Sequence, residues 1–372
     1  MTVSITTDAI TPALHRKAWS FALVFLPLLL PWLSLRHGAA SAYPTLFMFW
    51  TPVVVFGLVP LLDYLIGKDT LNPNEEQSRV LSTQPWYRTL TLLCLPLQFA
   101  SLISGAVVAV QLPGGLALLG WIVSFGTVSS VLAITVAHEL IHKNEKLDQW
   151  TGGILLASVC YGGFKIEHVR GHHVHVSTPE DASSARYGET VYGFVPRAII
   201  RNVHNAFRLE AIRLRQKGLP IWSWRNECVA WTALSGVFAV TAALLFGWHG
   251  VLFFFGQSLV AIVLLETVNY IEHYGLHRRL QADGRYERVT HLHSWNSSYR
   301  LSNLLLFHLQ RHSDHHAFPK RRYQILRHFD DSPQLPGGYP TMVMLAWLPP
   351  LWFAVMNPRV RAYYGGDPDG TN

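Results

Sequence analysis

Histidine is the residue type that distinguishes this sequence. The chain contains 19 histidines among 372 residues, and most of them fall in four short stretches. The stretches are HELIHK at 138–143, EHVRGHHVH at 167–175, NYIEHYGLH at 269–277 and LQRHSDHHA at 309–317. Because neutral imidazole binds Zn, Cu, Fe and Ni, these stretches together predict a metal centre.

The spacing of the histidines predicts which side chains could bind a metal together. Among the candidate ligands, three pairs are four residues apart, and on a continuous helix such pairs share one face, with Cβ atoms about 6 Å apart. The candidate ligands are His138, His142, His168, His172, His173, His273, His312, His315 and His316. Nine imidazoles exceed the ligands that one tetrahedral or octahedral ion uses, so we expect two metal ions.

Two functions of other classes remain open at this point. HELIH also matches H-E-x-x-H, in which two histidines bind zinc and the glutamate is the general base of a metalloprotease. An intramembrane zinc protease needs a further metal ligand, usually an aspartate. The only sequence that suggests such an aspartate is DPDG at 367–370. A metal transporter is the non-enzyme alternative, but transporters place their ligands near the middle of the membrane. A carboxylate-bridged di-iron bundle needs two Glu-x-x-His repeats, and only Glu139 with His142 fits.

The composition indicates a membrane protein that positions these histidines. Half of the residues are apolar and only 14% are charged, whereas soluble domains have roughly 25% charged residues. Six apolar runs approach the length of about 20 residues that a helix needs to cross a bilayer. They predict one all-α integral membrane domain, residues 1–372, with six transmembrane helices at 18–35, 46–66, 90–112, 116–137, 228–248 and 251–270. Residues 138–227 and 271–360 then form a histidine-rich cap, and 361–372 a flexible tail.

The distribution of positive charge predicts the orientation in the membrane. The loops 36–45, 113–115 and 249–250 contain only one of the 30 Lys and Arg residues, Arg36. The positive-inside rule therefore places both termini and the cap in the cytoplasm. The net charge of +7 flanks the predicted helices, which favours membrane lipids or an acidic protein partner over nucleic acid. The three cysteines form neither a CxxC pair nor a disulfide framework.

Several sequence motifs resemble those of one enzyme family. HELIH, HVRGHH and HSDHH look like the three histidine boxes of the fatty-acid desaturase and hydroxylase superfamily. NYIEHYGL and LQRHSDHHAFPKRRYQILR resemble motifs particular to alkane and xylene monooxygenases, and STPEDASSARYGE, HSWNS and PQLPGGYPTM are also similar. The similarity covers nearly the whole chain. The sequence thus resembles the membrane alkane hydroxylases, or alkane 1-monooxygenases.

The resemblance implies a specific reaction. In it, the nine histidines hold two non-haem iron ions, and the terminal methyl group of a medium-to-long n-alkane is hydroxylated to a primary alcohol. The reaction uses O₂ and two electrons from rubredoxin, which an NADH-dependent reductase reduces. The chain lacks the paired CxxC motifs of a fused rubredoxin, so we expect a separate protein or a module absent from this chain. The implied location is the bacterial inner membrane, with the active site on the cytoplasmic side.

The chemistry of a hydrocarbon substrate agrees with this interpretation. A nonpolar C–H bond offers no group for an acid, a base or a nucleophile, so its oxidation requires a redox-active metal and O₂. Zinc is redox-inert. Each CH₂ group favours the apolar phase by about 0.8 kcal/mol, so a site at the ends of membrane helices receives its substrate from the bilayer. The alternatives within this class are a xylene-type side-chain monooxygenase and a fatty-acid desaturase or hydroxylase.

Residues near the histidines are candidates for orienting them. Glu139, Glu167, Asn269, Glu272 and Asp314 are each adjacent to a candidate ligand or one helical turn from it. Such groups commonly accept the second ring N–H of a metal-binding histidine, although each could equally be a solvated or capping side chain.

Bulky residues of the first spans are candidates for limiting the length of the substrate. Phe47 and Trp50 are predicted to line the substrate tunnel.

Overall fold

The computed structural model describes residues 11–366 as a helical protein. The prediction of an all-α fold is confirmed. The α-helices of the described residues are α1 Pro12–Ser20, α2 Leu30–Ala39, α3 Pro44–Phe47, α4 Trp50–Val53, α5 Val59–Ile66, α6 Glu75–Thr83, α7 Pro85–Ala109, α8 Gly115–Ser129, α9 Val136–Leu140, α10 Lys146–Ala157, α11 Phe164–Glu167, α12 His173–His175, α13 Val191–Gln216, α14 Glu227–His273, α15 Arg300–Leu305, α16 His312–Ala317, α17 Tyr339–Ala346 and α18 Pro349–Tyr363. The DPDG string at 367–370 and the second half of the predicted tail, 367–372, lie outside the described residues.

Four continuous helices among the described residues are long and apolar enough to cross a membrane. They are Pro12–Ala39, Pro85–Ala109, Gly115–Leu140 and Glu227–His273. A fifth candidate is the pair Tyr339–Ala346 and Pro349–Tyr363, which is bent by 118°. The apolar helix Trp50–Ile66, in the second predicted span, is shorter. By length and composition the structure thus contains four or five candidate spans, where the sequence predicts six.

Helix α14 reverses direction at Gly247, which divides it into the fifth and sixth predicted spans. Gly247 has φ 61° and ψ −153°, a conformation that glycine adopts without the clash of a Cβ atom. The Ser235 hydroxyl donates to the Ala157 carbonyl, and the Gln257 amide donates to the next carbonyl, that of Ser158. A straight helix would separate Ser235 from Gln257 by about 33 Å, so the chain turns back between them.

Small residues allow the helices around this hairpin to approach closely. A Cβ atom at Gly126 of α8 would lie 2.4 Å from Val260 Cβ in the second half of α14. A Cβ atom at Gly153 of α10 would lie 2.4 Å from the Trp231 ring in the first half. Such contacts between small residues are typical of helices packed in membranes. They hold α8 and α10, which flank the HELIH motif, against α14.

Three π-helical turns interrupt the α-helices, at Val54–Leu58, Ser130–Thr135 and His168–His172. The second lies immediately before α9, which carries His138, and the third contains two candidate ligands. A π-turn carries more residues than an α-turn and therefore changes the direction of the side chains that follow, and such turns are frequent at functional sites. Two of the three thus adjust the positions of histidines.

Candidate metal centre

The four histidine stretches meet at one place in the fold. His138 and His142 lie in α9 and the turn after it, and His273 is the last residue of α14. The π-turn at 168–172 and α12 carry His168, His172 and His173, and α16 carries His312, His315 and His316. All nine are buried except His173, which is partly buried. The structure therefore brings together every histidine that the sequence predicts as a ligand.

The first group contains five histidines. One ring nitrogen from each of His138, His142, His168 and His315 lies within 4.8 Å of the others. His173 joins them, because its Nε2 atom is 3.2 Å from His168 Nε2 and 3.1 Å from His315 Nε2. These five side chains surround one point, as the ligands of a single ion do.

The second group contains four histidines and faces a carboxylate. His172, His273, His312 and His316 each place a ring nitrogen within 4.8 Å of the others. The Nε2 atoms of His312 and His316 are 2.9 Å apart, and that of His312 is 3.2 Å from His273 Nε2. Glu272 Oε2 lies 3.2 Å from His312 Nε2. A carboxylate oxygen thus points to the same place as the four rings.

The predicted helical spacing holds for two of the three histidine pairs. His138 and His142 share the first group, and His312 and His316 share the second. His168 and His172 do not share a group, although their rings are stacked with centroids 5.2 Å apart. The reason is the π-turn between them, since a spacing of four residues places two side chains on one face only in an α-helix.

The chemistry of the rings fits bound metal ions. Burial is the main reason that the pKa values of His142, His168 and His315 lie well below the ordinary value, so these rings stay neutral. A neutral imidazole has only one N–H, which leaves the other nitrogen as a lone-pair donor. Within the described residues, the buried Nε2 atoms of His138 and His142 have no hydrogen-bond partner. Nitrogen lone pairs that converge without protons between them are the donor set of a metal site.

Asp181 orients one of these histidines and was missed by the sequence analysis. Its Oδ2 atom accepts the Nδ1–H of His172 at 2.9 Å, which directs the other ring nitrogen into the second group. Burial would raise the pKa of Asp181, but His172 and the Ser184 hydroxyl lower it to about 2. Asp181 lies in the STPEDASSARYGE motif, nine residues after its partner, and helical spacing around the ligands gives no signal at that distance.

Glu272 is the one sequence-predicted neighbour that contacts a candidate ligand directly. Its second oxygen, Oε1, accepts a hydrogen bond from the Tyr339 hydroxyl at 2.6 Å. The Tyr339 backbone N–H donates to Gln310 Oε1 at 2.8 Å. Glu272 is thus held between α17 and the second histidine group.

Two other predicted neighbours form ion pairs that hold the segments together. Glu139 pairs with Lys143 at 2.9 Å and accepts the backbone N–H of Tyr323. Asp314 pairs with Arg321. These contacts join the HELIH segment and α16 to the loop that follows α16.

The two remaining predicted neighbours, Asn269 and Glu167, lie in a buried polar region beside the histidines. Asn269 donates to Glu266 Oε2 at 3.1 Å. Burial, and next Asp181, raises the pKa of Glu167 to about 8.

The predicted tunnel residues lie far from the histidines along the bundle. The Phe47 and Trp50 rings are stacked with centroids 6.0 Å apart, and Trp50 is 40% exposed. The adjacent Met48 carbonyl accepts the hydroxyl of Ser124. Ser124 is fourteen residues before His138 in the helix Gly115–Leu140, a distance of about 21 Å.

Replacing Asp181 by Asn is expected to weaken metal binding in the second group. The amide keeps the volume of the side chain but removes the charge that holds the His172 ring, and loss of such a partner typically costs about 10- to 100-fold in metal affinity. Metal content per chain after dialysis against a graded chelator measures the effect. Asp148→Asn is the matched control, since Asp148 is also buried but pairs with Arg88, which lies outside the histidine stretches. Equal metal retention in both variants would contradict the role of Asp181.

Comparison with known proteins identifies the family. The family model described as fatty acid desaturase matches residues 113–355. The chain is 59% identical over 330 residues to alkane 1-monooxygenase 1 of Pseudomonas aeruginosa, covering 88% of this chain and 86% of that protein. It is 52% identical over 334 residues to alkane 1-monooxygenase 2 of Alcanivorax borkumensis, covering 89% and 87%. Identity to the xylene/toluene monooxygenase hydroxylase component of Pseudomonas putida is 29% over 332 residues, covering 87% and 86%. The chain belongs to the membrane alkane hydroxylase family, the alkane 1-monooxygenases, within the fatty-acid desaturase and hydroxylase superfamily.

Proposed function

We propose that this protein is a di-iron alkane 1-monooxygenase that hydroxylates the terminal methyl group of medium-to-long n-alkanes, using O₂ and two electrons from rubredoxin. One observation carries the proposal: two groups of buried histidines converge at the ends of apolar helices. The relatives that are 52–59% identical are named for this activity.

The two histidine groups would each hold one iron ion. Iron supplies the redox chemistry with O₂ that a nonpolar C–H bond requires. The chain's own residues fix the geometry, because Asp181 orients the His172 ring and Tyr339 holds the Glu272 carboxylate against the second group. Both interactions come from outside the histidine stretches.

The end of the substrate would lie next to the first group, in a narrow pocket of about 10 Å³ with four apolar and four polar lining residues, Thr135 and Glu139 among the latter. Leu306, Phe307 and Leu309 line this pocket together with His138 and His315. An alkyl chain has no polar group that could orient it, so only the shape of an apolar wall can direct its methyl end. The wall also excludes water from the reacting carbon.

The proposed topology has six transmembrane helices, with the hairpin at Gly247 counted as two and Trp50–Ile66 as the second span. The sequence places nearly all Lys and Arg residues on the side of the histidines, which favours a cytoplasmic active site in the bacterial inner membrane. That side is where a soluble electron donor is available.

The proposed docking site for rubredoxin is an arginine-lined surface pocket of about 920 Å³. Its lining includes Arg186 and Arg279, both exposed, together with Arg197, Arg201 and Arg278. Asp181 also lines it, so the pocket reaches the hydrogen-bond partner of a candidate metal ligand. A positive pocket next to the metal centre suits an acidic electron-transfer protein, since complementary charge accelerates and orients association.

The activity is tested by reconstitution. Purified protein loaded with iron, supplied with octane, O₂, NADH, rubredoxin and its reductase, is expected to form 1-octanol, measured by gas chromatography against product from denatured protein. Hydroxylation of p-xylene without oxidation of octane would favour a xylene-type enzyme, and a double bond in a fatty acid would favour a desaturase. Peptide cleavage with bound zinc, or metal transport without any product, would contradict the proposal.

Trp50→Ala is expected to shift the product profile toward longer alkanes. Loss of the indole ring would open space about 20 Å from the histidines, at the far end of an extended substrate. Competition assays with a mixture of n-alkanes of graded length measure the shift. Trp248→Ala, which removes an exposed tryptophan beside Gly247, is the control. A profile unaltered by Trp50→Ala would remove this residue from the tunnel.

Combined Arg186→Glu and Arg279→Glu substitutions are expected to raise the KM for rubredoxin more than they lower kcat. They reverse two exposed charges of the pocket, and such changes act mainly on the association rate and its dependence on salt. Steady-state kinetics at several ionic strengths measure both. The combined Arg208→Glu and Arg215→Glu substitutions, on the exposed surface of α13, change the net charge by the same amount and are the control. A KM shift of the same size in the control would place the docking surface elsewhere.

A further inference from the structure

A buried tyrosine next to the first histidine group donates a hydrogen bond to a glutamate that has no role in the proposed hydroxylation. Tyr161 is 4% exposed, and its hydroxyl donates to Glu266 Oε1. Glu266 is fully buried and accepts two further hydrogen bonds, from the side-chain amides of Asn202 at 3.2 Å and Asn269 at 3.1 Å. Every one of these partners donates, which is the environment of a carboxylate acting as an acceptor.

A continuous stack of rings joins this tyrosine to the metal centre. The Tyr161 and Phe164 rings are stacked, with centroids 5.6 Å apart and an interplanar angle of 20°. Phe164 in turn stacks on His168, with centroids 4.6 Å apart at 22°. His168 belongs to the first histidine group. The Phe164 ring thus stacks on both the phenol of Tyr161 and a candidate ligand.

We propose that Tyr161 donates one electron to the oxidised metal centre when O₂ has reacted in the absence of alkane. The inference rests on the proposed oxygenase function. The electron passes through the Phe164 and His168 rings, the phenolic O–H bond breaks, and its proton forms an O–H bond on Glu266 Oε1. The tyrosine becomes a neutral phenoxyl radical, and the metal centre is reduced by one equivalent. An electron from the reduced donor protein and the proton on Glu266 then restore the phenol.

The proton acceptor distinguishes Tyr161 from other buried tyrosines. Burial, and next Glu266, raises the pKa of Tyr161 well above its ordinary value, so the phenol is protonated at rest and must lose its proton together with the electron. Tyr339 also donates to a glutamate, Glu272. The other oxygen of Glu272 faces the second histidine group, where a bound cation disfavours protonation.

Tyr323 provides a matched comparison. It is buried to a similar extent, but its hydroxyl donates to the backbone carbonyl of Tyr87. A peptide carbonyl is too weak a base to take a phenolic proton. Tyr323 therefore has the burial of Tyr161 without its acceptor.

The physical benefit would be protection of the metal ligands. Without an alkane to oxidise, oxidising equivalents at the metal centre would attack the nearest protein groups, the histidine rings. A tyrosine that is hydrogen-bonded to a base is oxidised more easily than a histidine ring. Its oxidation therefore spares the ligands, and the tyrosyl radical can be reduced again.

Freeze-quench EPR spectroscopy tests the proposal. Iron-loaded protein, reduced and freed of excess reductant, is mixed with O₂ in the absence of alkane. Wild-type protein is expected to give a tyrosyl signal that narrows when the protein contains ring-deuterated tyrosine. The signal is expected to be lost in Tyr161→Phe and to remain in Tyr323→Phe. Iron content and thermal stability of each variant show whether the site and the fold are retained.

Mass spectrometry gives a second measurement that does not depend on activity. After incubation with reductant and O₂ without alkane, the peptide containing His168 is expected to be oxidised faster in Tyr161→Phe than in Tyr323→Phe. A signal that persists in Tyr161→Phe, or that disappears equally in Tyr323→Phe, would overturn the proposal. Formation of 1-octanol in the reconstituted assay separates the two inferences: alcohol without a tyrosyl signal contradicts only the role of Tyr161, whereas the absence of alcohol from any alkane contradicts the oxygenase function.

Discussion

The burial of nine imidazoles around two points is the constraint on which the rest of this structure depends. Nitrogen atoms of neighbouring rings approach to 2.9–3.2 Å. Burial lowers the pKa values of rings such as His142, His168 and His315 and keeps them neutral, whereas at His172 the Asp181 carboxylate outweighs burial and raises the pKa. A buried polar group without a partner typically costs about 1–3 kcal/mol, so nine converging lone pairs would be strongly unfavourable by themselves. Bound cations make this convergence of lone pairs favourable, because each lone pair then faces a positive charge. Metal binding is therefore coupled to folding, since the ligands come from residues 138 to 316 and meet only in the folded chain.

Groups outside the histidine stretches hold two side chains of the metal centre, the His172 ring and the Glu272 carboxylate. Asp181 reaches the outer nitrogen of His172 from the loop after α12, and the buried Arg278 holds the same loop by donating to the carbonyls of Val174 and Val176. Tyr339 holds Glu272 from α17. Because these supporting residues come from different segments, the orientation of the side chains that they hold depends on how those segments pack. A change remote in sequence can therefore alter the metal centre.

Two of the apolar helices also carry candidate metal ligands. The helix Gly115–Leu140 is apolar for most of its length and carries His138 near its end, and Glu227–His273 ends on a candidate ligand. The same helices therefore offer an apolar environment and deliver imidazoles to its edge. The π-turn at Ser130–Thr135 lies between the apolar part of the helix Gly115–Leu140 and the part that carries His138.

The sequence by itself determined the all-α membrane character, the nine histidines and the family, because hydrophobic runs and closely spaced ligand motifs are local properties of the chain. It also contained the break between the last two predicted spans, which the structure places at Gly247. Which histidines share a group was decided only by the tertiary structure, since the π-turn sends His168 and His172 to different groups despite their helical spacing. The same is true of Asp181 and of the stack from Tyr161 to His168, whose members meet through packing between segments, and periodicity along one helix carries no information about such contacts.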